Sequence, residues 1–214
     1  KKSVDKDSII ENFAIYMQIW NNMSFDSKKE VAYHEAGHYI VGKASGRLIR
    51  YHFLAVSIMP AENYLGITVA EEDETQIPFC DENYFIDDIA FDLGGRVSEE
   101  FFRHTYTSGA KADLDNATNT AYQVITKFGL GNNSIKNRIY VNYQNNPMFS
   151  EKSIDVINHE IDQIIEKALK RATDILTENR DVVEALVSAL LQNHIMSSEE
   201  LDAIWKETIT HRNS

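Results

Sequence analysis

Nine apolar residues set the strongest constraint on this chain. Ile157, Ile161, Ile164, Ile165, Ala168, Leu169, Ala172, Ile175 and Leu176 recur every three or four positions across one unbroken segment. That spacing puts them along one stripe of a long α-helix, which has to bury the stripe against other elements. "RDVVEALVSALLQNH" repeats the pattern over a shorter span. Ser197 and Glu200, three apart, form a capping box that opens a third helix at "EELDAIW". The last third, 153–207, is therefore expected to be a helical bundle.

Upstream the period changes. "SIIENFAIYMQIW" is helix-like, and "NNMSFDSKKE" breaks it. Asp26 or Ser27 is the expected cap of a helix reaching Val41 or Ala44. "YHFLAVSIM" and "YLGITVA", rich in β-branched and aromatic residues and separated by "PAEN", are expected to be paired strands. An acidic loop, "EEDETQIPFCDEN", leads into a helix over "YFIDDIAFDLGGRVSEEFFRH". After the loop "TYTSGAKAD" a further helix is expected to run to about Phe128 and stop at Gly129, with 129–153 irregular or weakly strand-forming. The fold class is thus mainly α with a small β-sheet (α+β). We expect 1–27 to be an N-terminal helical segment and 28–214 to be one domain that includes the C-terminal helices.

Charge narrows the function. The 214 residues carry a formal net charge of −12, which opposes the clustered cations needed on nucleic acid. No apolar run of about 18 residues is present, so no membrane span is expected in this chain. Cys80, the single cysteine, has no intramolecular partner for a disulfide.

The chemistry concentrates in "VAYHEAGHYIVG", Val31 to Gly42. On a helix, His34 and His38 lie one turn apart on the same face. Val31, Val41 and Gly42 continue that face toward the protein interior. Two imidazoles turned inward need partners, and a zinc ion satisfies both. Glu35 lies beside His34 but off the ligand line, where a general base can take a proton from water. Ala36 and Gly37 are small enough for another segment to approach. The H-E-x-x-H pattern is short, and its helical, apolar setting is what gives it weight. The other five histidines, His52, His104, His159, His194 and His211, have no such setting.

A catalytic zinc usually takes three protein ligands and leaves one position open. No H-x-x-H continuation follows His38, so the third ligand lies elsewhere. Its chemistry admits the pair Glu99 and Glu100 in "LGGRVSEEFF", or Asp113 in "TSGAKADLDNAT". Asp113 could instead cap a helix. Residue chemistry alone leaves the choice open.

"VAYHEAGHYIVG", "YLGITVAEE", "LGGRVSEEFF" and "TSGAKADLDNATNTAYQVITKFGL" together resemble, in order and spacing, the peptidase domain of the FtsH family of ATP-dependent zinc proteases. The resemblance runs roughly from Lys28 to Trp205. The family's TTGA-x-x-D segment is matched by Thr107, Ser108, Gly109, Ala110 and Asp113, with Ser108 in place of the usual Thr. It implies that Asp113 is the third ligand of one zinc per chain, with His34 and His38, and that Glu35 is the catalytic base. Glu99 then becomes a residue outside the ligand set, one that either supports a ligand from behind or packs its helix. The implied function is a zinc endopeptidase acting on unfolded or membrane-protein polypeptides, and the implied assembly is a homo-hexamer. Such proteins carry an ATPase module upstream; no G-x-x-x-x-G-K-[ST] occurs in these residues. The compartment expected is the cytoplasmic or organelle-matrix side, the full-length protein being membrane-anchored. Leu65, Gly66, Ile67 and Thr68 are expected to offer a strand edge to an extended substrate. The alternative is a module that keeps this fold for binding or regulation without turnover. "GNNSIKNRIYVNYQNNPMF" departs from the family pattern.

Overall fold

The long apolar stripe does form one helix. In the computed structural model, which describes residues 6–46, 51–61, 64–72, 80–131 and 151–212, α5 runs Glu151–Glu178. At 1.5 Å per residue its 28 residues span about 42 Å. Ile157, Ile164, Ala168, Ala172, Ile175 and Leu176 are buried along it. Leu169, expected in the stripe, is instead 37% exposed, because it sits at the stripe's margin. The other helices are α1 (Lys6–Asn22), α2 (Phe25–Ser45), α3 (Glu82–Ser98), α4 (Lys111–Thr126), α6 (Arg180–Asn193) and α7 (Ser198–Arg212). Among the described residues three strands, β1 (Tyr51–Ser57), β2 (Ile67–Glu72) and β3 (Ile195–Ser197), make one antiparallel sheet in the order β2-β1-β3. The chain is mainly α with a small sheet, as its periodicity indicates.

Local chemistry places the ends of these elements. Helix α2 begins earlier than expected: Ser24, not Asp26 or Ser27, is the cap, its hydroxyl accepting from the Ser27 N–H at 3.0 Å. Gly46, at φ 69, ends α2 in the left-handed region that glycine adopts without strain. Asp81 caps α3 by accepting from the Tyr84 N–H at 2.8 Å. Strand β2 starts at Ile67, so Leu65 and Gly66 precede the strand rather than belong to it. The β1–β2 register skips at Leu54, a bulge that turns this leucine outward to 46% exposure. The capping box forms, with the Ser197 N–H donating to Glu200 Oε2 at 2.8 Å. Residues 132–150, including most of the stretch expected to be irregular, lie outside the described residues.

Two features were not legible. Strand β3 is only three residues long, too short to show alternation, and it pairs with the far side of β1 through Ser57↔Ile195, Val56↔Met196 and Ala55↔Ser197. Beyond Ser98, α3 widens into a π-turn over Glu99–Arg103 that ends at His104, φ 54.

The core forms where α2, α3 and α5 pack with the sheet and α6. Tyr39, Ile40, Ile58, Ile89, Leu93, Leu176 and Leu186 are fully enclosed there. Trp20 at the end of α1 joins the same core at 5% exposure. Helices α2 and α3 cross with backbones nearly touching. A Cβ on Gly37 would lie 2.4 Å from the Gly94 carbonyl oxygen, and one on Gly94 would lie 2.9 Å from that of Gly37. This approach brings the histidine face of α2 against the middle of α3.

Candidate metal centre

Helix α2 delivers His34 and His38 one turn apart, with ring centroids 4.7 Å from each other. Each ring is clamped at Nδ1. His38 Nδ1 donates to the Phe91 carbonyl at 2.8 Å, and a carbonyl can only accept. His34 Nδ1 lies 2.6 Å from Glu99 Oε1. Glu99 is 1% exposed, and its second oxygen accepts the Thr107 N–H at 2.6 Å. Such partners fix the tautomer and leave Nε2 of each ring as the free lone pair.

Those lone pairs meet. The two Nε2 atoms are 3.1 Å apart. Asp113 Oδ2, carried in the first turn of α4, is 3.3 Å from Nε2 of His34 and 3.5 Å from Nε2 of His38. That oxygen is buried without a hydrogen-bond partner among the described residues. Three donor atoms converging in this way need a positive charge between them, either a metal ion or a proton held on one imidazole. Zinc held at about 2.0–2.1 Å from each donor in a tetrahedron separates donors by roughly 3.3 Å. Donor atoms from His34, His38 and Asp113 all lie within 4.8 Å of one another, so the donor set and its spacing fit the ion.

Gly95 makes the space. A Cβ there would fall 2.5 Å from His38 Nε2 and 2.7 Å from His34 Nε2. Its role had no signature in the sequence beyond the pair in "LGGR". The Phe91 carbonyl is likewise invisible to a search for side-chain ligands. The structure separates the two adjacent glutamates: Glu99 is buried against His34 and Glu100 is exposed. Neither carboxylate is part of the three-donor cluster.

Glu35 is 5% exposed on the same helix. Burial pushes its carboxyl up from the usual range, while the imidazoles of His38 and His34 and the Thr68 hydroxyl pull it back. Thr68 Oγ1 lies 2.9 Å from Glu35 Oε2. Without an ion, desolvation lowers the affinity of His34 for a proton, but the carboxylates of Asp113, Glu99 and Glu35 outweigh it and push its pKa up to about 10. The same imidazoles hold the Asp113 carboxyl well below its ordinary value against its own burial. Of the residues expected at a substrate edge, Leu65 is 52% exposed at the surface, whereas Gly66 and Thr68 contact Glu35.

Comparison with known proteins gives a consistent result. Residues 21–204 match the model of peptidase family M41. An ATP-dependent zinc metalloprotease FtsH of Cupriavidus metallidurans is 30% identical over 85% of this chain and 29% of its own length. FtsH 2 of a Thermoanaerobacter species is 32% identical over 84% of this chain and 33% of its own. FtsH 4 of a Synechocystis species is 32% identical over 84% of this chain and 30% of its own. The chain thus spans about a third of the length of these relatives.

Proposed function

The chain belongs to peptidase family M41, and from that premise we propose that it is a zinc endopeptidase domain in which His34, His38 and Asp113 hold the metal and Glu35 is the general base. The convergence of three metal-ligating donors, one of them a buried carboxylate oxygen with no hydrogen-bond partner among the described residues, carries this reading. Zinc in that position supplies Lewis acidity toward water and toward the scissile carbonyl.

The protein's own groups do the rest. Glu99 and the Phe91 carbonyl hold the two rings with Nε2 presented. Glu35, made more basic by burial, takes a proton from the attacking water and returns it to the leaving amine. Strand β2 has β1 on one side only among the described residues. We assign the outer side of this segment, Leu65 and Gly66 ahead of the strand and Ile67 and Thr68 within it, to an extended substrate that pairs by backbone hydrogen bonds, a mode that reads little sequence. Unfolded polypeptides, including those of membrane proteins, are the substrates this mode favours. We place this domain in a homo-hexamer coupled to an ATPase module, on the cytoplasmic or organelle-matrix side of a membrane. Residues 1–27 are the lead-in to the peptidase domain at 28–214. Among the described residues no helix is long and apolar enough to cross a membrane.

Casein cleavage tests the core of the reading. It is expected to stop with a chelator, return with zinc, and be absent in Glu35→Gln that still binds zinc. Cleavage that persists in Glu35→Gln removes the base assignment.

A further inference from the structure

The segment ahead of β2 and the strand itself meet Glu35 at two points. Thr68 Oγ1 is 2.9 Å from Glu35 Oε2 and 3.1 Å from the Glu35 carbonyl oxygen. Both are acceptors, so the hydroxyl is the donor to either. Two residues earlier, Gly66 packs flat on the same side chain. A Cβ at Gly66 would lie 2.9 Å from Glu35 Cγ, 2.9 Å from Oε1 and 2.5 Å from Val31 Cγ1. The carboxylate is therefore boxed in, with one oxygen bonded by a hydroxyl and the other lying beside a residue that has no side chain.

A base needs this. Glutamate has three side-chain torsions, and ordering them costs rotamer freedom. An error of about 1 Å in the placement of a reacting group can cost about 100-fold in rate. One turn away on the same face of α2, Val31 carries no polar group and the Tyr39 hydroxyl is bonded to Asp202, so neither offers the carboxylate a hydrogen bond. The restraint has to come from the sheet.

We propose that Thr68 is a positioning residue for Glu35: its hydroxyl fixes the carboxylate's rotamer toward the metal centre, and Gly66 leaves room for that rotamer. The proposal rests on the reading of Glu35 as general base. It divides the labour of β2. The backbone edge is left to the substrate, and the inward hydroxyl of Thr68 serves the base. A substrate strand that pairs with β2 then stiffens the element that holds Glu35 in place.

The test compares zinc-loaded Thr68→Ser, Thr68→Ala and Thr68→Val with wild type on a short fluorogenic peptide, alongside Glu35→Gln. Ser and Ala differ by the hydroxyl alone. Ala and Val are expected to lose about 10- to 100-fold in kcat, with KM within about twofold and zinc content unchanged, and Ser is expected to recover most of the loss. Ser behaving like Ala, Val retaining wild-type kcat, or a loss confined to KM overturns the proposal. If Glu35→Gln is inactive while all three Thr68 variants are fully active, only the positioning role falls. If Glu35→Gln is active, the base assignment falls first.

Discussion

Gly95 has no functional group, yet the histidines' arrangement depends on it. A methyl group there would overlap both Nε2 atoms. Gly95→Ala is therefore expected to weaken zinc binding at least about tenfold with the fold retained, as measured by competition against a chromophoric chelator. Asp113→Ala, which removes a proposed ligand, is expected to lose zinc during desalting. Glu99→Ala removes the hydrogen bond at His34 Nδ1 and is expected to weaken binding about 10- to 100-fold. Zinc retained by Asp113→Ala but lost from Glu99→Ala would exchange their roles. The sequence disclosed these residues unequally. His34, Glu35 and His38 are local, and helical spacing alone aligns them. Asp113 is distant in sequence, and only a family resemblance separated it from Glu99 and Glu100. Gly95 and the Phe91 carbonyl act through absence and through backbone, and neither leaves a trace in residue chemistry.

Among the elements, the pairing of α2 with α3 sets the geometry of the centre. The contact at Gly37 and Gly94 is backbone to backbone, so a side chain on either glycine wedges the helices apart. Gly37→Val is expected to cost about 1–3 kcal/mol of stability or more, measured by urea unfolding of the zinc-bound protein. It should also cut zinc affinity, because His34 is on α2 and its partner Glu99 follows α3. The helices were legible because periodicity survives over many turns, and the two main strands because β-branched runs are distinctive. The short strand β3 and the π-turn after Ser98 were not. One is too brief for a pattern, and the other differs from an α-helix by a single extra residue per turn. At the start of that turn Glu99 faces inward and Glu100 lies in solvent.

For the molecule as a whole, metal and proton compete. In the metal-free protein the carboxylates around His34 push its pKa up to about 10, so the imidazole is charged at neutral pH. Zinc has to displace that proton. Because the pKa is raised, the charged form dominates everywhere below about 10, and affinity falls as pH falls. Competition titrations at pH 7, 8 and 9 are expected to show zinc Kd rising by about tenfold for each unit of acidification. A flat profile contradicts a protonated His34 in the apo state. Zinc in excess is also expected to raise Tm, since any ligand that binds only the folded form stabilises it. The net charge of −12 has a separate effect: it disfavours nucleic acid, whose binding needs clustered cations.

His34 and His38 are neighbours in the chain, but the oxygen that completes their cluster sits at Asp113, beyond the whole of α3. A polypeptide still emerging from the ribosome and ending before Lys111 would carry both imidazoles and the neighbouring glutamate with no third donor to close around an ion. The three-donor cluster is thus complete only after α3 and α4 have been made and have docked.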